Sequence, residues 1–134
     1  MVTNIGTFNF TDTGRLLVTD TPGLSNITTK HIFGEASIAS LSEVTVVTFT
    51  VPSGKELRVY SYGFGGQADG VAVLDIDSSS QHKLRNSAAK RSESEHFEVG
   101  HIIPASSIVS VKITNKGDNL KSYEAYIHGE IYDI

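Results

Sequence analysis

Along most of this chain apolar and polar residues alternate at a spacing of two, the period of a β-strand with one buried face. In KELRVYSYG, starting at Lys55, Leu57 and Val59 face one way and Arg58, Tyr60 and Tyr62 the other. VAVLDID sets Ala72, Leu74 and Ile76 against Asp75 and Asp77, and SIVSVKITN gathers Val109, Val111 and Ile113 on one side. The closing SYEAYIHGEIYDI places Tyr123, Ala125, Ile127 and Ile131 opposite Glu124, Tyr126, His128, Glu130 and Tyr132. HIFGEASIAS aligns Ile32, Ala36 and Ile38. In EVTVVTFTV the alternation changes phase between Val46 and Val47, which predicts a bulge or a strand covered on both sides. Gly129, inside a strand pattern, predicts a bulge or a close backbone approach.

Turn signals divide these runs. In VPSG, Pro52 ends a ladder and Gly54 permits a turn. Ile103-Pro104-Ala105-Ser106 repeats that grammar, as two similar corners of paired Greek keys would. NKGDN, Asn115 to Asn119, reads as a turn, and GFGGQADG, Gly63 to Gly70, as a flexible loop at a sandwich end. Leu84 to Arg91 has room for one or two helical turns at most. The pattern predicts an all-β protein, an antiparallel β-sandwich, specifically a jelly roll of about eight strands. Residues 1–30, rich in Thr and Asn, read as an extended N-terminal arm with edge strands, and residues 31–134 as a single sandwich domain.

One stretch breaks the pattern. SSSQHKLRNSAAKRSESEH, Ser78 to His96, is polar throughout and reads as an insertion, either a flexible surface loop or a contact that orders on assembly. It concentrates Lys83, Arg85, Lys90 and Arg91 in a chain whose net charge is -4. That overall sign argues against general nucleic-acid binding, while the local basic cluster favours an acidic contact. A length of 134 residues fits one domain, and 39% hydrophobic with 19% charged residues is ordinary globular composition. Without cysteine there is no disulfide, thiolate nucleophile or zinc–thiolate site. The chain shows neither a signal-peptide pattern nor an apolar run near the ~20 residues of a membrane helix, so a soluble protein without membrane contact is expected.

Candidate chemistry is sparse. There is no G-x-S-x-G elbow, and PSGKE lacks both the first glycine and the following helix of a phosphate loop. Asp69, Asp75 and Asp77 offer oxygens for calcium, although Asp75 and Asp77 read better as solvated strand-end aspartates. His128 with Glu130, and His96 with His101, lack the ligand spacing of a metal-binding cupin and read as exposed or interfacial. No catalytic residue, cofactor or metal is expected, and the chain does not read as an enzyme. Tyr60, Tyr62, Tyr126 and Tyr132 suit a partner surface, because a tyrosine ring buries area while its hydroxyl stays bonded or wet. The same rings would serve a second buried sandwich face, or stack on sugars.

The succession FTVPSGKELRVYSYGF, GVAVLDID, IIPASSIVSVKITNKG and YIHGEIYDI resembles the small jelly-roll capsid decoration, or cement, proteins of tailed viruses, from roughly Val44 to Ile134. The resemblance implies a non-enzymatic virion protein, assembled in the host cytoplasm. It further implies that the protein associates with itself as a homotrimer and binds the viral major capsid protein. Similar strand grammar occurs in carbohydrate- and receptor-binding modules of virus tails, which stands as the alternative.

Overall fold

The computed structural model describes residues 25–134, which form eight strands and no helix. In chain order they are β1 (Ser25–Ile38), β2 (Glu43–Thr50), β3 (Lys55–Gly66), β4 (Gly70–Ile76), β5 (Ser79–Arg85), β6 (Ser92–Ile103), β7 (Ile108–Asn115) and β8 (Lys121–Asp133). They make two four-stranded sheets, ordered β1-β8-β3-β6 and β2-β7-β4-β5, with every pair antiparallel. Two Greek keys interleaved in this way are a jelly roll. Of the arm, residues 1–24 lie outside the described residues. β1 runs unbroken through residues 30 and 31, where the sequence pattern suggests the arm should end.

The core lies between the sheets and is filled by the alternating residues that the pattern picks out. Leu57 and Val59 of β3, Ile127 of β8 and Ile103 of β6 meet Leu74 of β4 and Val109, Val111 and Ile113 of β7, all buried. Ile32 and Ala36 of β1 and Leu84 of β5 pack on this cluster from its margins. Burying such side chains contributes about 1.5–3 kcal/mol each.

Two bulges set which residues reach that core. The phase change in β2 is real: the register with β7 shifts between Thr45 and Val47. A second bulge lies at Tyr60, where β3 shifts against both β6 and β8. Uninterrupted alternation puts Tyr62 with Tyr60, facing away from Leu57 and Val59. The bulge reverses that, and Tyr62 is buried in the core beside them. Tyr132 does lie on the outer side, as the pattern predicts, but it is 2% exposed. Its ring lies beneath the Arg58 guanidinium, 5.9 Å away, and its hydroxyl donates to Glu56 Oε1 at 3.2 Å.

The two Pro-containing corners are structural equivalents. Lys55 N–H donates to Pro52 O and Ser107 N–H to Pro104 O, each at 3.2 Å. The third residue has positive φ in both, 79° at Gly54 and 72° at Ser106, as a type II turn requires. The corners also hold each other, through Ser106 N–H to Val51 O at 2.8 Å and Val51 N–H to Ser107 O at 3.0 Å. Serine pays a steric cost in this conformation that glycine does not. Ser106→Gly is therefore expected to stabilise the fold by about 0.5–1 kcal/mol, once the extra entropy of an unfolded glycine is subtracted. Urea denaturation measures it; a loss of stability would show that the Ser106 side chain makes a contact worth more than the strain.

The expected insertion is not one. Ser79–Arg85 is strand β5, paired with β4, and β6 begins at Ser92, so only residues 86–91 turn between them. Asn86 anchors that turn from a buried position: its Oδ1 accepts from Gly70 N–H (2.7 Å), and its Nδ2 donates to Ala68 O (3.1 Å) and Arg91 O (3.0 Å). β5 and β6 are the outer strands of their sheets. Edge strands carry polar residues on both sides because an apolar edge invites aggregation, which is why this stretch looks like a loop. The glycine-rich segment is likewise mostly strand, since β3 continues to Gly66 and β4 starts at Gly70.

Candidate functional site

Opposed residues in a sheet share a face, so the registers place side chains from four strands in rows across the outer side of β1-β8-β3-β6. One row runs His31, His128, Ser61, His96; the next runs Phe33, Tyr126, Gly63, Ser94; a third runs Glu35, Glu124, Gly65, Ser92. The result is a block with an aromatic pair beside an acidic pair, floored on β3 by glycines. Phe33 is 56% exposed. The His31 ring stacks on Tyr126, centroids 5.6 Å apart and planes 18° apart, and lies 5.5 Å from His128.

The glycines are needed here for space. A β-carbon on Gly63 would stand 2.7 Å from Tyr126 Cε1 and 2.9 Å from its hydroxyl oxygen. One on Gly65 would stand 3.0 Å from Ser92 Oγ and 3.6 Å from Glu124 Oε2. Three polar groups therefore converge above a bare backbone floor, with Phe33 as one wall. The groove they line measures about 330 Å³, at the small end of ligand-sized clefts. A second hollow of about 280 Å³ continues it past Glu35 and Ser122, sharing Gly65, Ser92 and Glu124.

Charge in this region is uneven. Lys90 reaches into the groove lining, and its ammonium sits 3.7 Å from Glu93 Oε1. Arg91 donates to Asp69 Oδ1 at 2.7 Å. Glu35 and Glu124 face each other across β1 and β8, and among the described residues neither has a cationic partner. Like charges placed directly opposite destabilise a sheet unless something compensates them.

The sequence-picked residues scatter. Of the four tyrosines, Tyr126 belongs to this groove. Tyr60 bulges from β3, half-buried on the same sheet, and donates to Glu130 Oε1 at 3.2 Å. Tyr62 and Tyr132 are buried within the chain and keep no area for a partner. The Tyr62 hydroxyl is pushed well above its ordinary pKa by burial, and further by the charge of Glu95. It therefore stays protonated and shares a hydrogen bond of 2.8 Å with His82 Nδ1, linking β3 of one sheet to β5 of the other. The basic residues do not form one loop patch either. Lys83 and Arg85 are exposed on strand β5, whereas Lys90 and Arg91 flank the groove side of the 86–91 turn.

The aspartates considered for calcium have other partners. Asp75 is buried and receives the Lys112 ammonium at 2.9 Å. Asp77 accepts from Ile108 N–H at 2.8 Å, which, with the Ser107 hydroxyl, holds its carboxyl below the usual range. Its contribution to stability is therefore present at neutral pH and lost as pH falls through that depressed value. Phe33, Glu35, Glu124, Ser92 and the glycine floor were not singled out by sequence. Alternation does set His31, Phe33 and Glu35 opposite Ile32 and Ala36, and that was the available signal. Compared with family models and with curated proteins, the chain matches none.

Proposed function

We propose that this is a non-enzymatic structural protein of a virion, a capsid decoration protein that associates with itself as a trimer and docks on a shell of major capsid protein. The observation that supports it most is the outer side of the first sheet. Phe33 stands 56% exposed on its outer strand β1, beside Tyr126 and the imidazoles of His31 and His128. Aromatic side chains grouped on a sheet face that no other described strand covers are the composition of a protein interface, not of a face evolved only for water. The jelly roll suits the role, because a rigid scaffold of two sheets presents such a face without reorganisation on binding.

Light scattering on the purified protein is expected to give three times the chain mass of 14.4 kDa, and the trimer should co-sediment with capsid shells. A monomer that persists at high concentration and stays in the supernatant with shells present would sink this reading.

A further inference from the structure

We propose that the groove between Phe33 and Glu124 is a guanidinium site, which takes an arginine side chain of the surface on which the protein docks. It deepens the shell-docking reading above and rests on it for the identity of the partner.

Three properties of the groove select this chemistry. The first is charge. Glu124 in the groove and Glu35 in the hollow that continues it leave two negative charges without cationic partners among the described residues, while Lys90 is paired with Glu93. An anionic ligand is disfavoured, and a cation relieves the repulsion across β1 and β8. The second is the shape of the polar rim. Glu124 Oε2, Ser92 Oγ and the Tyr126 hydroxyl all lie over the Gly63–Gly65 floor, so oxygen acceptors surround one small volume. A guanidinium carries five donors in a planar fork and matches several acceptors at once; an ammonium is a point charge and matches fewer.

The third is the aromatic wall. Phe33 and Tyr126 are directly opposed across β1 and β8, immediately beside the acidic pair. A planar cation that pairs with a carboxylate while lying on an aromatic face uses both kinds of neighbour. Gly63 is part of the device, because any side chain there would lift Tyr126 off the floor. A neutral sugar would also use hydroxyls and rings, but it leaves the facing carboxylates uncompensated. Arginine removes that cost.

The probe is blocked arginine, N-acetyl-arginine N-methylamide, titrated into the full chain while the backbone amide signals of Gly63 and Gly65 are followed by NMR. Saturable shifts are expected with a Kd on the order of 1 mM, as befits one side chain without its surrounding interface. Glu124→Gln should weaken binding about tenfold and Phe33→Ala about fivefold. Both residues are exposed, so Phe33→Ala should leave the melting temperature unchanged, and Glu124→Gln, which removes the repulsion from Glu35, should not lower it. Blocked lysine should bind more weakly than blocked arginine, and added salt should weaken both.

No saturable shift up to about 20 mM, roughly twenty times that Kd, would overturn the assignment. So would equal binding by the Glu124→Gln variant, or a neutral disaccharide that shifts Gly63 and Gly65 where blocked arginine does not. Arginine binding by a protein that ignores every capsid shell would uphold the guanidinium site and defeat only the docking reading.

Discussion

Asn115→Ala is expected to cost about 3–5 kcal/mol of stability and to lower the melting temperature by roughly 10–20 °C. Asn115 ends β7 and is completely buried. Its Nδ2 donates to Ile38 O at 2.7 Å and to Asn119 O at 2.8 Å, and its Oδ1 accepts from Gly117 N–H at 2.7 Å. The Tyr123 hydroxyl lies 3.0 Å from that same Oδ1 and 2.7 Å from Asp69 O. One side chain thus ties the end of β1, the β7–β8 turn and β8 together, and Tyr123 extends the network to the β3–β4 connection. Alanine would leave buried donors and acceptors without partners, at about 1–3 kcal/mol for each that water cannot reach. Asn115→Asp should fare no better, since it loses both donors and places a charge where none is compensated. A loss below about 1 kcal/mol in urea denaturation would mean that water replaces the amide and that this end of the sandwich is held by its apolar contacts alone.

The strands were legible because each obeys a period of two and ends at a recognisable turn. The repeated corner at Pro52 and Pro104 was legible for the same reason, and the structure joins the two by hydrogen bonds. The Val46–Val47 bulge showed because aliphatic residues make a phase change visible. The bulge at Tyr60 is the same event, hidden by chemistry. Leu57 and Val59 lie at odd positions and Tyr62 and Phe64 at even ones, yet all four are buried. Tyrosine passes for an outward residue, so the change of phase within VYSY does not register as one. Edge strands failed for a different reason: β5 and β6 must be polar on their free side, and composition alone cannot distinguish that from a loop.

The groove was less legible than the fold. Its parts come from β1, β3, β6 and β8, and what unites them is register, which the chain does not spell out. Alternation tells which way Phe33, Tyr126 and Glu124 point, but not that Phe33 stands opposite Tyr126 or Glu35 opposite Glu124. Gly63 and Gly65 looked like loop residues because strands seldom contain glycine. In the sheet they serve the opposite purpose, as a floor close enough for a ring and a carboxylate to lie over.

Gly129→Ala is expected to cost at least about 3 kcal/mol, enough to leave this domain marginal or unfolded. Gly129 pairs with Val59 on β3, directly beside the Tyr60 bulge, and with Lys30 on β1. A β-carbon there would stand 2.2 Å from Arg58 O and 3.0 Å from Arg58 C, both backbone atoms held in a central strand. No rotamer change relieves such a clash; β3 or β8 must move. The bulge lies two residues beyond Arg58 and, by taking up one extra residue, turns Tyr62 into the core. Glycine at 129 and the bulge at 60 are thus one device. Deleting Tyr60 tests the coupling, because Val59, Ser61 and Tyr62 would then alternate without interruption and still send Tyr62 inward. The alanine should cost distinctly less on the Tyr60-deleted background than on the original, a coupling that a double-mutant cycle in urea would measure. Equal cost on both backgrounds would detach Gly129 from the bulge, and would leave the close approach to Arg58 as a feature of the β3–β8 pair itself.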